Sequence, residues 1–95
     1  MDLELKNKVV LVTGGAKGIG AAIVKAAAAE GAIPVIVDRD IDAGNRLHQQ
    51  ITGSDLIIAE LGEAEGCYST IQKTIEKHGR LDALVNNASE RQSRT

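Results

Sequence analysis

The chain has 95 residues, 43% of them apolar and 25% charged, with one Cys, one Tyr, no Phe or Trp and a formal net charge of −2. That length holds one domain, and the composition belongs to a folded chain rather than a disordered or collagen-like one. The mixed charge and missing aromatics exclude a broad nucleic-acid-binding face, and the single cysteine excludes an internal disulfide or a thiolate-rich metal site.

Residues Met1 to Lys8 alternate acidic, basic and apolar side chains without an apolar stretch of signal-peptide length. Lys25 and Glu30 interrupt the longest apolar region, so the expectation is a cytoplasmic protein with no membrane segment. Lys8 to Val12 is a β-branched run ending in glycines, which predicts a buried strand and a tight turn. From Ile19 the apolar positions Ala22, Ile23, Ala26 and Ala27 follow helical spacing, with Gly31 as the stop. Ile33 to Val37 is a second strand with Pro34 near its start, closed by Asp38. Asp40 or Asp42 caps a second helix running through Leu47 and Ile51 to Gly53, and Leu56 to Ala59 is a third strand. Ala64, Cys67, Tyr68, Ile71, Ile75 and His78 mark the buried stripe of a third helix stopped by Gly79, and Leu81 to Val85 is a fourth strand. On this pattern Cys67 and Tyr68 are core residues, and His48 and His78 lie on helix surfaces or ends.

The resulting order, βαβαβαβ, predicts an α/β fold: a parallel sheet with right-handed crossovers and helices on both faces. Residues 89–95 carry no apolar side chain and are expected to form a disordered polar tail behind a domain spanning 1–88.

Between the first strand and helix lies Thr13-Gly14-Gly15-Ala16-Lys17-Gly18-Ile19-Gly20. Glycines let backbone approach an anion closely, and the N–H groups and positive dipole end of a helix stabilise its charge, which suits a pyrophosphate. Without further context the same turn is an ordinary β-to-α connection. Context is supplied by Asp38, which ends the next strand roughly 20 residues on, the separation at which a carboxylate reaches ribose hydroxyls in dinucleotide-binding folds. A Walker-type phosphate loop is excluded because Lys17 is followed by Gly18 rather than Ser or Thr.

The spacing of Gly14, Gly18 and Gly20 resembles the T-G-x-x-x-G-x-G signature of short-chain dehydrogenases/reductases. Gly79-Arg80-Leu81-Asp82-Ala83-Leu84-Val85-Asn86-Asn87-Ala88 resembles the stretch leading into that family's N-N-A-G motif, and the likeness spans residues 5–88. Within the family, Met1-Asp2-Leu3, Gly31-Ala32-Ile33-Pro34 and Glu60-Leu61 resemble the sugar-oxidising L-fucose dehydrogenase subgroup. The resemblance implies a Rossmann-type sheet of order 3-2-1-4, truncated after the fourth strand, with the first two helices on one face and the third on the other. It also implies a pyrophosphate held by Gly14, Gly18, Ile19 and Gly20, an adenosine ribose on Asp38, adenine beside Leu61, and the second sugar at Asn87 and Ala88. Glu60 stands where relatives usually carry Asp or Asn, which shifts or removes that contact with adenine. Lys17 and Arg39 could grip the 2′-phosphate of NADP, but Asp38 would repel it, so the expected cofactor is NAD with NADP the alternative.

The chemistry implied is hydride transfer between a nicotinamide cofactor and an alcohol, a sugar if the subgroup resemblance holds, carried in the family by a Ser, a Tyr and a Lys four residues after the Tyr. None is at the required spacing here: Tyr68 is followed four places on by Gln72, and Ser89 replaces the last Gly of the motif. The expectation is therefore a cofactor-binding half that is inactive alone, with no catalytic or metal-ligating residue, exposed apolar surface and a tendency to self-associate. A non-catalytic nucleotide-binding subunit and a structural fragment without a ligand are the alternatives, and full-length relatives are expected to be homo-oligomers.

Overall fold

The computed structural model describes residues 5–60 and 64–87. Seven elements alternate along it: β1 (Val9–Thr13), α1 (Gly18–Ala29), β2 (Ile33–Asp38), α2 (Ile41–Gln50), β3 (Asp55–Ile58), α3 (Ala64–His78) and β4 (Ala83–Asn86). The strands form one parallel sheet in the order β3-β2-β1-β4. Val10 to Thr13 of β1 align with Ala83 to Asn86 of β4, so the chain reverses its direction of growth across the sheet beside β1.

β1 and β2 are central and read as continuous apolar runs because both of their faces are covered. Pro34 is buried inside the sheet without breaking it. The Ile33 N–H bonds the Lys8 carbonyl on the β1 side, so Pro34 faces β3, whose pairing begins one residue later at Val35 with Asp55. At the other edge the Asp82 carboxylate accepts the N–H of buried Val9 at 2.8 Å and the Arg80 Nε–H at 2.8 Å. The Arg80 hydrogen bond first, and then that of Val9, hold the Asp82 carboxyl below the ordinary aspartate range.

Side chains alternate between two apolar clusters, one on each side of the sheet. Val10, Val12 and Ile36 pack with Val24 and Ala27 of α1 and with Ala43 and Leu47 of α2. Val9, Leu11, Val35 and Val37 form the opposite cluster, which includes no α1 or α2 residue, and all four are essentially inaccessible. The remaining helix, α3, buries Thr70 and Thr74 among its described side chains.

Two helix faces differ from the sequence expectation. In α1 the buried residues are Gly20, Val24 and Ala27, while Ala22 and Ala26 are exposed. Alanine is apolar wherever it falls, so the helix is oriented by the bulk of Val24 against Val12 and Gly15. In α3, Tyr68 is 64% exposed and Ile75 44%, and Cys67 is only half-buried. The stripe turns instead onto two threonines, whose hydroxyls donate to the carbonyls one turn back, Thr70 to Gly66 at 2.8 Å and Thr74 to Thr70 at 2.9 Å. With its hydroxyl satisfied inside the helix, a threonine can be buried at little polar cost, its methyl group acting as an apolar side chain. Tyr68 is thus a surface residue rather than part of the core.

Candidate functional site

The glycine-rich turn emerges from β1 at the carboxyl end of the sheet, where three strand ends meet. The N–H groups of Gly14 and Gly15 both donate to the Val37 carbonyl at 2.7 and 3.2 Å, and that of Ala16 donates to Asp38 Oδ2 at 3.1 Å. The Asp40 N–H donates to the other carboxylate oxygen of Asp38 at 3.0 Å. Asp38 is therefore oriented by two backbone donors at the mouth of the turn, with lone pairs to spare.

From β4 the turn is fastened by Asn87, whose Nδ2 donates to the Gly14 carbonyl at 3.2 Å and whose backbone N–H donates to Thr13 Oγ1 at 2.9 Å. Thr13 is buried, and its hydroxyl lies 3.1 Å from Asn86 Oδ1 and 3.4 Å from the Val85 carbonyl. Gly20 closes the assembly: a Cβ there would collide with the Gly14 carbonyl and stand 2.8 Å from Asn87 Nδ2. Gly18 has the opposite surroundings, with positive φ and no atom within 4 Å of where a Cβ would stand. The turn is packed tightly behind and open in front.

The two helix starts flanking this mouth contrast in charge. α2 is capped by Asp40, which accepts the Ala43 N–H at 3.0 Å, and carries Asp42 in its first turn. The Ala43 hydrogen bond first, then that of Lys17, lowers the pKa of Asp40 from its ordinary value. α1 begins at Gly18 with Lys17 in the cap position, no side-chain cap and no acidic residue in its first turn. Geometry leaves the N–H groups at the start of any α-helix without an intrahelical partner, so α1 presents uncompensated donors and a positive dipole end beside the open side of Gly18.

Charged side chains ring the mouth in pairs. Lys17 Nζ lies 3.2 Å from Asp40 Oδ2, and Arg39 lies 3.4 Å from Glu60 Oε2. Ile19 is 73% exposed beside the open side of Gly18. Of the residues singled out in the sequence, Gly14, Lys17, Gly18, Ile19, Gly20, Asp38, Arg39 and Asn87 thus converge on one end of the sheet, while Leu61 and Ala88 lie outside the described residues. Thr13, Asp40 and Glu60 join them. Thr13 was visible only as the first letter of a motif, and the two acids gave no signal beyond a helix cap and a departure from a familiar pattern.

His48 and His78 lie elsewhere, His48 Nδ1 against Ser54 Oγ at 2.8 Å and His78 Nε2 against Asp55 at 3.1 Å. Among the described residues no cluster of three or more His, Cys, Asp or Glu side chains is arranged to hold a metal ion, and no helix is long and apolar enough to cross a membrane.

The L-fucose dehydrogenase of Bos taurus is 39% identical over 88 residues, which cover 93% of this chain and 33% of the relative. General stress protein 39 of Bacillus subtilis (strain 168) is 42% identical over 92 residues, 92% of this chain and 32% of that protein. The crystal structure of a short chain dehydrogenase from Mycobacterium smegmatis superposes with a TM-score of 0.83 at 37% identity, covering 90% of this chain and 38% of that one. The chain thus spans about a third of the length of the curated relatives it matches. The sequence profile described as short chain dehydrogenase matches residues 8–95, and with it the glycine turn, the crossed sheet and the Asn87 clamp take their place: this chain belongs to the short-chain dehydrogenase family.

Proposed function

We propose that the chain binds a dinucleotide, NAD in preference to NADP, across the carboxyl end of β1, β2 and β4, as the cofactor-holding part of an oxidoreductase. The observation that carries this is the uncapped, acid-free start of α1 beside an Asp38 carboxylate already oriented by two backbone N–H groups. The N–H groups at Gly18, Ile19 and Gly20 would bind the pyrophosphate, and the absent side chain at Gly18 leaves room for its approach. Asp38 would accept the adenosine ribose hydroxyls through its remaining lone pairs, and Asn87 would hold the turn while lying next to the second sugar. Leu61 and Ala88 complete the proposed contacts, Ile19 would be covered by the bound cofactor, and Lys17 and Arg39 would flank its adenosine end.

The nicotinamide, when bound, supplies the hydride chemistry, and this chain's residues supply binding and orientation. The substrate class proposed is an alcohol, with sugars favoured by the name of the Bos taurus relative. The 95 residues contain no Tyr followed four places later by a Lys, so by themselves they are proposed to bind cofactor without turnover.

Calorimetric titration of the chain with NAD, alongside Asp38→Ala, tests the proposal. Saturable binding by the parent, weakened at least tenfold in the variant, is the expected result. No binding by a parent chain with a cooperative melt would overturn it.

A further inference from the structure

We infer that Asp40 and Glu60 bias the site against a 2′-phosphate by placing carboxylates beside Lys17 and Arg39, the two cations that would otherwise attract it. The inference rests on the proposed dinucleotide site and deepens it. Lys17 and Arg39 are the two cations beside Asp38, one following the residue whose N–H binds its carboxylate and the other following it directly in sequence. Taken alone they would make this end of the site attractive to phosphate. Each is instead matched to an acid, Lys17 to Asp40 at 3.2 Å and Arg39 to Glu60 at 3.4 Å. With Asp38 counted, three carboxylates stand beside these two cations, and Arg46 of α2 adds a more distant positive charge that acts on Asp40.

Both pairs are exposed, and such pairs contribute little to folding stability. Their effect on a ligand does not depend on a persistent contact, because an acid that swings away from its partner still lies within a Debye length, about 8 Å, of the same surface. A phosphate monoester carries a charge of about −1.5 to −2 near neutral pH, whereas the ribose hydroxyl it replaces is neutral. Removing one carboxylate at ~7 Å in a water-like dielectric should favour the phosphorylated ligand by about twofold at physiological ionic strength and by about three- to fivefold at low ionic strength, where screening is weak. The acids thus act on the 2′-position without touching the rest of the cofactor.

The test uses the full chain, titrated at low ionic strength with NAD and separately with NADP, for the parent, Asp40→Asn, Glu60→Gln and the double variant. Asn is as good a helix cap as Asp, so Asp40→Asn removes the charge and keeps the start of α2, which a thermal melt followed by circular dichroism verifies. The expected result is a parent that prefers NAD and an NADP-to-NAD ratio of dissociation constants that falls about three- to fivefold in each single variant, and further in the double. NAD binding by the parent with a ratio unmoved in all three variants would overturn the inference and leave the dinucleotide site intact. A parent that prefers NADP would do the same. A folded parent that binds neither ligand would overturn both.

Discussion

Gly20 and Gly18 stand two residues apart and have opposite reasons for lacking a side chain. A methyl group at position 20 would have to displace the Gly14 carbonyl and the Asn87 amide, both of them fastened to the sheet. A methyl at position 18 would meet no atom, and its cost arises only from the left-handed backbone, with φ at +57°. Gly20→Ala should therefore lower stability by about 1–3 kcal/mol, as overpacking does, and weaken NAD binding by more than tenfold. Gly18→Ala should cost about 1–2 kcal/mol from backbone strain alone. Urea midpoints of both variants check the stabilities, and a Gly20→Ala chain as stable as the parent would contradict the packing assigned to the turn. The glycine pattern was legible in the sequence, whereas the division of labour was not, because it depends on what residues 14 and 87 place behind the turn.

At the level of elements, the end of α3 is tied to the start of β3 through Asp55, which lies 3.1 Å from both Lys77 Nζ and His78 Nε2 and also accepts the Leu56 N–H. Burial is the largest single influence on this carboxyl and pushes its pKa up, but the hydrogen bonds of His78, Lys77 and Leu56, with the charge of Lys77, together outweigh it and hold the pKa below its ordinary value. Because the folded-state pKa is depressed, the contribution is fully present above the unfolded value and is lost as pH falls through the folded one. Asp55→Asn should therefore be less stable than the parent at pH 7, with the gap closing below about pH 4. Denaturant melts of both proteins between pH 7 and pH 2 measure this, and a gap independent of pH would show that the ion pairs contribute nothing. The existence, type and order of all seven elements could be read from runs, caps and stops. The buried face of α3 could not, since two threonines become apolar only once their hydroxyls turn back onto the helix.

For the molecule as a whole, β4 is the outermost strand of the described sheet and pairs only with β1. Leu84 on β4 is 44% exposed, as is Ile75 on α3. A parallel strand normally lies between covered faces, and an apolar edge with unpaired backbone is a template for association. The chain is expected to bind a hydrophobic dye and to self-associate with rising concentration, and Leu84→Lys is expected to reduce both. Sedimentation across a tenfold concentration range checks this; a parent that stays monomeric and dye-free would refute it.

The sequence by itself determined the alternation of strands and helices, the glycine turn between β1 and α1, and the acid at the end of β2. These are local: each depends on period, propensity or spacing within a few turns of chain. Family-level order, 3-2-1-4, followed from resemblance and is the order observed. Only the tertiary structure decided that Asn87 clamps Gly14, that α1 turns Val24 rather than Ala22 toward the sheet, and that Lys17 and Arg39 are matched by Asp40 and Glu60. The clamp and the charge pairs join residues more than twenty positions apart, and the helix face depends on the strand packed beneath it. Contacts of that kind exist only after the sheet has brought their partners together, so no local pattern encodes them.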